Sequence, residues 1–147
     1  MTVPQPEQVR LDLPARYTYL HLLGDCIADM LRLLEQMQDA EMVIYNIQLA
    51  VHEACTNIVR HAYENKGEGR ILITLTLAFD PPQLTIELQD TGKPFDAASY
   101  EPPDLDDVPS GGLGIFLIRN LMDDVTYTPV PGHNHWSLTK SLLMKGI

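Results

Sequence analysis

Glu53 and Asn57 stand one helical turn apart within residues 41–63, EMVIYNIQLAVHEACTNIVRHAY, a stretch whose spacing is helical throughout. Their side-chain oxygens project in the same direction and could together meet a metal-phosphate group and the atom that attacks it. Arg60 and His61 fall on that side as well. Taken alone, the pair also fits the solvated side of an amphipathic helix. His52-Glu53 opens like the zinc-protease pattern His-Glu-x-x-His, but the fifth residue is Thr56, so the second metal ligand is missing. His52 therefore reads as a helix-surface histidine.

Two later blocks carry chemistry of their own. Asp90 closes an alternating stretch, and Gly92 follows two residues on. A carboxylate at a strand end accepts a hydrogen bond from an exocyclic amine, and a glycine beside it lets a planar ring approach the backbone. Ser110-Gly111-Gly112-Leu113-Gly114 leads into helical spacing, where free backbone N–H groups and the positive helix end favour phosphate. Singly, an Asp-x-Gly is mostly a turn and a glycine cluster mostly a hinge.

The elements that must position these residues follow from periodicity. Val9, Leu11 and Leu13 alternate in a half-buried strand over residues 8–13, ended by Pro14. Leu20, Leu23, Ile27, Met30, Leu31 and Leu34 give a long helix over residues 15–37, and residues 38–40 turn into the central helix. That helix aims Ile44, Ile47, Val51, Cys55, Ile58 and Ala62 at the core and stops before the turn formers of residues 65–69. Residues 71–79 and a second strand through Leu84, Ile86 and Leu88 form an antiparallel hairpin around Asp80-Pro81-Pro82.

Residues 100–112, YEPPDLDDVPSGG, hold three prolines, four acids and two glycines, a composition of a mobile loop or lid. A helix over 113–124, a strand over 125–130, a turn over 131–134 and a strand over 135–143 complete the chain. Helices and strands are too segregated for a doubly wound sheet. The expected fold class is α+β, a two-layer sandwich whose mixed, mostly antiparallel sheet is covered on one face by helices.

At 147 residues and 45% apolar content the chain is one domain with an ordinary core. Its net charge of -10 argues against nucleic acid or an anionic membrane as partner, since both demand Lys and Arg clusters. Cys26 and Cys55 lie in helical, partly apolar surroundings that suit reduced thiols. No apolar run reaches the length of a membrane span, and residues 1–10 lack signal-peptide character, so a cytoplasmic location is expected.

In combination the three blocks are specific. HEACTNIVRHAY, LQDTGKPFD and GGLGIFLIRNLMDDV, in that order, resemble the N, G1 and G2 boxes of the GHKL ATPase/kinase superfamily with its Bergerat ATP-binding fold. The closer resemblance is to the bacterial anti-sigma-factor serine/threonine kinases, with SLTKSLL similar to their last strand, over residues 8–143. The resemblance implies ATP and Mg²⁺ as cofactors. It makes Glu53 the general base, Asn57 the Mg²⁺-holding asparagine and Asp90 the reader of the adenine amino group. Gly92 would lie beside that ring, Gly112 and Gly114 near the phosphates, and Thr139 next to the adenine site. The G1 block departs from the pattern in Lys93-Pro94-Phe95. Implied partners are a sigma factor and a STAS-domain antagonist phosphorylated on Ser or Thr, with a homodimer possible. Two other readings stay open: a non-catalytic ATP-binding partner-switch module, and the catalytic part of a histidine kinase with His52 as acceptor.

Overall fold

The structure is a computed structural model describing residues 4–94, 113–130 and 132–146. In chain order it holds β1 (Glu7–Pro14), a 3₁₀ turn (Tyr17–Tyr19), α1 (Leu20–Arg32) and α2 (Ala40–Asn57), which runs on as a π-helical turn (Ile58–Ala62). Then come β2 (Arg70–Phe79), β3 (Pro82–Asp90), α3 (Leu113–Leu121), β4 (Asp124–Val130) and β5 (His133–Ser141). The strands form one sheet in the order β1-β2-β3-β5-β4.

Every neighbouring pair of described strands is antiparallel, where a mixed sheet was expected. The connections explain it. Two helices carry the chain out and back between β1 and β2, so β2 starts where β1 ends and must run the other way; Ala15 N–H donates to Gly69 O across that junction at 3.0 Å. Between β3 and β4 the described chain has a single helix, so those two strands share a direction, and β5 slots between them.

Helices cover one face of the sheet. Ile71, Ile73 and Leu75 of β2, Leu84, Ile86 and Leu88 of β3, and Leu138 of β5 are buried there, against Leu23, Ile27 and Leu31 of α1 and Ile44, Ile47, Val51 and Cys55 of α2. Truncating one such Leu or Ile to Ala typically costs about 2–5 kcal/mol. The other face is polar and half-buried, with Thr74, Thr76, Thr85, Glu87, Gln89, Ser137 and Thr139. Among the described residues no helix is long and apolar enough to cross a membrane.

Helix ends depart from periodicity where tertiary hydrogen bonds take over the backbone. The first helix was expected over 15–37. Residues 15–16 instead finish the β1 junction, and at the far end Gln38 N–H donates to Leu143 O (2.7 Å) while Lys145 N–H donates to Gln36 O (2.6 Å). Likewise α3 stops at Leu121 rather than 124: Lys140 Nζ donates to Leu121 O (2.9 Å), and Asp123 N–H donates to Thr139 O (2.9 Å). β5 begins at His133 and ends at Ser141, two residues ahead of the expected 135–143 at each end. Arg32 at the end of α1 forks onto Glu41 at the start of α2, Nη2 to Oε2 3.0 Å, a solvent-exposed pair of small energetic weight. The expected lid, residues 100–112, lies outside the described residues.

Candidate active site

The polar end of α2 is not a solvated face. Asn57 is 5% exposed and Glu53 half-buried, because α3 packs alongside α2 there. Gly114 of α3 faces them. A Cβ at Gly114 would stand 2.9 Å from Glu53 Oε2 and 3.9 Å from both polar atoms of the Asn57 amide. Glycine at this position makes room for the carboxylate. Gly112, the other predicted phosphate glycine, lies outside the described residues. Asn57 Nδ2 is buried without a hydrogen-bond partner, an arrangement that native structures rarely leave without a ligand or water to complete it.

Directly after Asn57 the helix widens. Tyr63 N–H donates to Ile58 O at 3.1 Å, five residues back, and Asn65 N–H donates to Val59 O at 3.0 Å. Such π-turns recur at functional positions because they re-aim side chains within a helix. Here Arg60 and His61, expected beside Asn57, are turned out and exposed while Asn57 stays buried. Partial burial, then the Arg60 charge, holds the His61 imidazole below its ordinary range.

The widened turn also frees Ala62 O, which accepts the Lys93 N–H at 2.9 Å. A Cβ on Gly92 would fall 2.3 Å from that oxygen. Gly92 is thus required first by the docking of the β3 end onto the π-turn. Tyr63 completes the junction: its hydroxyl donates to Arg70 O (2.8 Å) and accepts the Thr91 N–H (3.0 Å). The docking brings Asn57 and Asp90 to one small cleft of about 10 Å³, lined by Asn57, Ile58, Ala62, Asp90, Lys93, Tyr127 and Trp136. Tyr127 and Trp136 stack at a tilt, ring centroids 4.5 Å apart.

Asp90 is 3% exposed. Its Oδ1 accepts the Gly92 N–H and one Asn134 Nδ2 hydrogen, both at 2.9 Å, and Asn134 Nδ2 reaches Gly92 O at 2.9 Å as well. Burial pushes the Asp90 carboxyl above the usual carboxylate range, opposed by these two hydrogen bonds and by the charge of His133. Asn134 was expected in a turn. It is the direct partner of Asp90 in the β3–β5 ladder, a neighbour visible only once strand order is known, because α3 and β4 intervene in sequence.

The structure does not bring Thr139 to this group. Five positions further along the ladder it faces Thr85, Oγ1 to Oγ1 3.3 Å, on the polar face of the sheet opposite Asp90 and Trp136. The β-alternation that buries Asn134, Trp136 and Leu138 turns Thr139 away. His52 is exposed and lines a groove between α1 and α2 with His21 and Asp25. Among the described residues no cluster of three or more His, Cys, Asp or Glu could hold a metal. A Mg²⁺ ion here fits only in the manner common for that ion, through the Asn57 amide together with phosphate oxygens and water.

The family model described as histidine kinase-like ATPase domain matches residues 13–140. The chain belongs to this family. Within it, the chain is similar to the serine-protein kinase RsbW of Halalkalibacterium halodurans, 33% identical over 135 residues that cover 85% of this chain and 78% of that one. RsbW of Bacillus cereus is 34% identical over 128 residues, covering 81% and 76%. Solved histidine kinase-like ATPase structures share the fold. The RsbU and RsbW domains of a Mycobacterium tuberculosis protein superpose with a TM-score of 0.68 at 17% identity, over 96% of this chain. This chain spans 34% of that longer one. A chain of the SiaB-SiaC complex of Pseudomonas aeruginosa superposes with a TM-score of 0.61 at 13% identity, covering 92% of this chain and 88% of that one.

Proposed function

We propose that this protein is an ATP-dependent serine/threonine protein kinase and anti-sigma factor, which holds a sigma factor and phosphorylates a STAS-domain antagonist. The observation that carries the kinase reading is the meeting of Glu53 and Gly114 at Asn57, which itself shares a small cleft with Asp90. Asp90 accepts the adenine amino group, with Gly92 beside the ring. Asn57 would hold Mg²⁺, and Gly114 leaves room beside it and Glu53. When bound, the metal neutralises charge on the transferred phosphoryl group.

Glu53 receives the proton of the attacking hydroxyl. Its carboxylate is set on the same rigid helix as Asn57, one turn away, so base and phosphate holder keep a constant separation. Among the described residues Glu53 has no ion pair to neutralise it, which leaves the carboxylate available as a base. Partner switching follows from the same chemistry: a phosphorylated antagonist no longer competes for the kinase, and the kinase returns to its sigma factor. The protein acts in the cytoplasm and as a homodimer in this reading. The test is incubation with Mg-ATP and each STAS-domain protein of the same genome, followed by phosphopeptide mass spectrometry. Phosphoserine or phosphothreonine on one of them is expected. ATP binding without transfer to any of them would instead make the protein a nucleotide-dependent binding switch.

A further inference from the structure

Asn134 has no exposed surface and belongs to none of the sequence boxes, yet its amide is the most constrained side chain near the cleft. Its orientation is settled by its neighbours. The nitrogen approaches two acceptors, Asp90 Oδ1 and Gly92 O, each at 2.9 Å, and only an N–H₂ group satisfies both. The consequence is that Asn134 Oδ1 is buried without a partner. A buried acceptor left unsatisfied is unfavourable, so the position serves something other than stability.

What it serves is legible at Asp90. Oδ1 of that carboxylate already takes the Gly92 N–H and the Asn134 amide. Oδ2 has no hydrogen-bond partner among the described residues and remains for a ligand. The carboxylate cannot turn over without breaking two hydrogen bonds. Burial alone favours its protonated form; the Asn134 and Gly92 donors and the His133 charge favour the anion.

Resting on the ATP reading above, we propose that Asn134 is a specificity-determining positioning residue, which keeps Asp90 an acceptor-only carboxylate so that the site takes a 6-amino purine and rejects a 6-oxo purine. An anionic Oδ2 accepts the N–H of an adenine amino group and repels a carbonyl oxygen. With the Asn134 donor gone, the buried carboxyl takes up a proton. Its Oδ2 then donates to a 6-oxo group, a pairing that welcomes the wrong base.

The test is equilibrium binding of ATP and of inosine triphosphate, by calorimetry, to the full chain and to Asn134→Thr and Asn134→Val. Thr and Val have nearly the same shape and both suit a strand, but only Thr carries a hydroxyl that can donate to Asp90 Oδ1. The expected result is a preference for ATP that falls about tenfold or more in Asn134→Val and is largely restored in Asn134→Thr. An ATP-to-inosine preference unchanged in Val, or lowered equally in Val and Thr, would overturn the proposal. Asn134→Ala serves as a second variant without a donor, and loss of the fold in both Val and Ala, seen by circular dichroism, would assign Asn134 to stability and also overturn it. A wild-type chain that binds neither nucleotide would instead refute the ATP reading itself.

Discussion

The two ends of the cleft are built in opposite ways. Near Asp90 most polar groups are tied: Gly92 N–H and Asn134 N–H₂ to Oδ1 of the carboxylate, Lys93 N–H to Ala62 O, Tyr63 between Arg70 and Thr91, with Asn134 Oδ1 the buried exception. At the phosphate end Asn57 Nδ2 is buried and unpaired, and Glu53 rests against the space of a missing side chain at Gly114. The Asp90 end is preorganised by the fold, whereas at the other end the Asn57 N–H₂ is left without a partner. Preorganisation suits recognition of a rigid group; an amide N–H₂ left without an acceptor suits phosphate oxygens that come and go.

The same substitution at the two ends sharpens this contrast most. Gly92→Ala drives a Cβ to 2.3 Å from the Ala62 carbonyl oxygen, which backbone cannot yield, so stability is expected to fall by about 1–3 kcal/mol and nucleotide binding with it. Gly114→Ala meets only the tip of Glu53 at 2.9 Å, a flexible carboxylate that moves aside. There the melting midpoint and ATP affinity are expected to hold while phosphotransfer slows about tenfold, through the displaced base. Urea unfolding and a transfer assay on both variants check this, and equal loss of stability in the two would break the comparison.

A smaller effect is expected at the junction. Tyr63→Phe removes the oxygen that accepts the Thr91 N–H and the donor to Arg70 O, with an expected loss of about 1–2 kcal/mol in urea unfolding. Smallest in stability, and opposite in sign, is Asp90→Asn. Because folding raises the Asp90 pKa, the native state holds its proton more tightly than the unfolded chain, and stability is lost as pH rises through the range between the unfolded and folded values. The amide variant carries no such charge. It should be at least as stable as the parent at pH 7 and shed that part of the pH dependence, while losing ATP affinity; melting midpoints from pH 4 to 8 read it out.

How much of this was legible in the sequence divides along the same line. Glu53, Asn57 and Asp90 stood out because a helix period and a strand end declare themselves locally, and the α+β architecture followed from the order of the periods. Asn134 did not, because its meaning depends on β5 pairing with β3 across an intervening helix and strand. Thr139 was placed at the base for want of that register, although strand alternation turns it to the opposite face. The outward turn of Arg60 and His61 was hidden too: nothing in IVRHA marks a π-turn, which arises from Tyr63 and Asn65 reaching further back along the helix. Gly92 was singled out for the approach of a planar ring, whereas its first physical demand in the fold is the Ala62 carbonyl.

The measurement that tests the account most directly is ATP affinity and phosphotransfer rate determined together on Glu53→Gln. The substitution keeps the shape at Gly114 and leaves Asp90, Asn134 and Asn57 untouched. The account predicts ATP affinity within about twofold of the parent and transfer reduced by about 10²–10⁴-fold, the usual contribution of a positioned base. Transfer at the parent rate, with ATP affinity unchanged, would contradict Glu53 as the base and with it the division of the cleft into a base-reading end and a phosphoryl-transfer end.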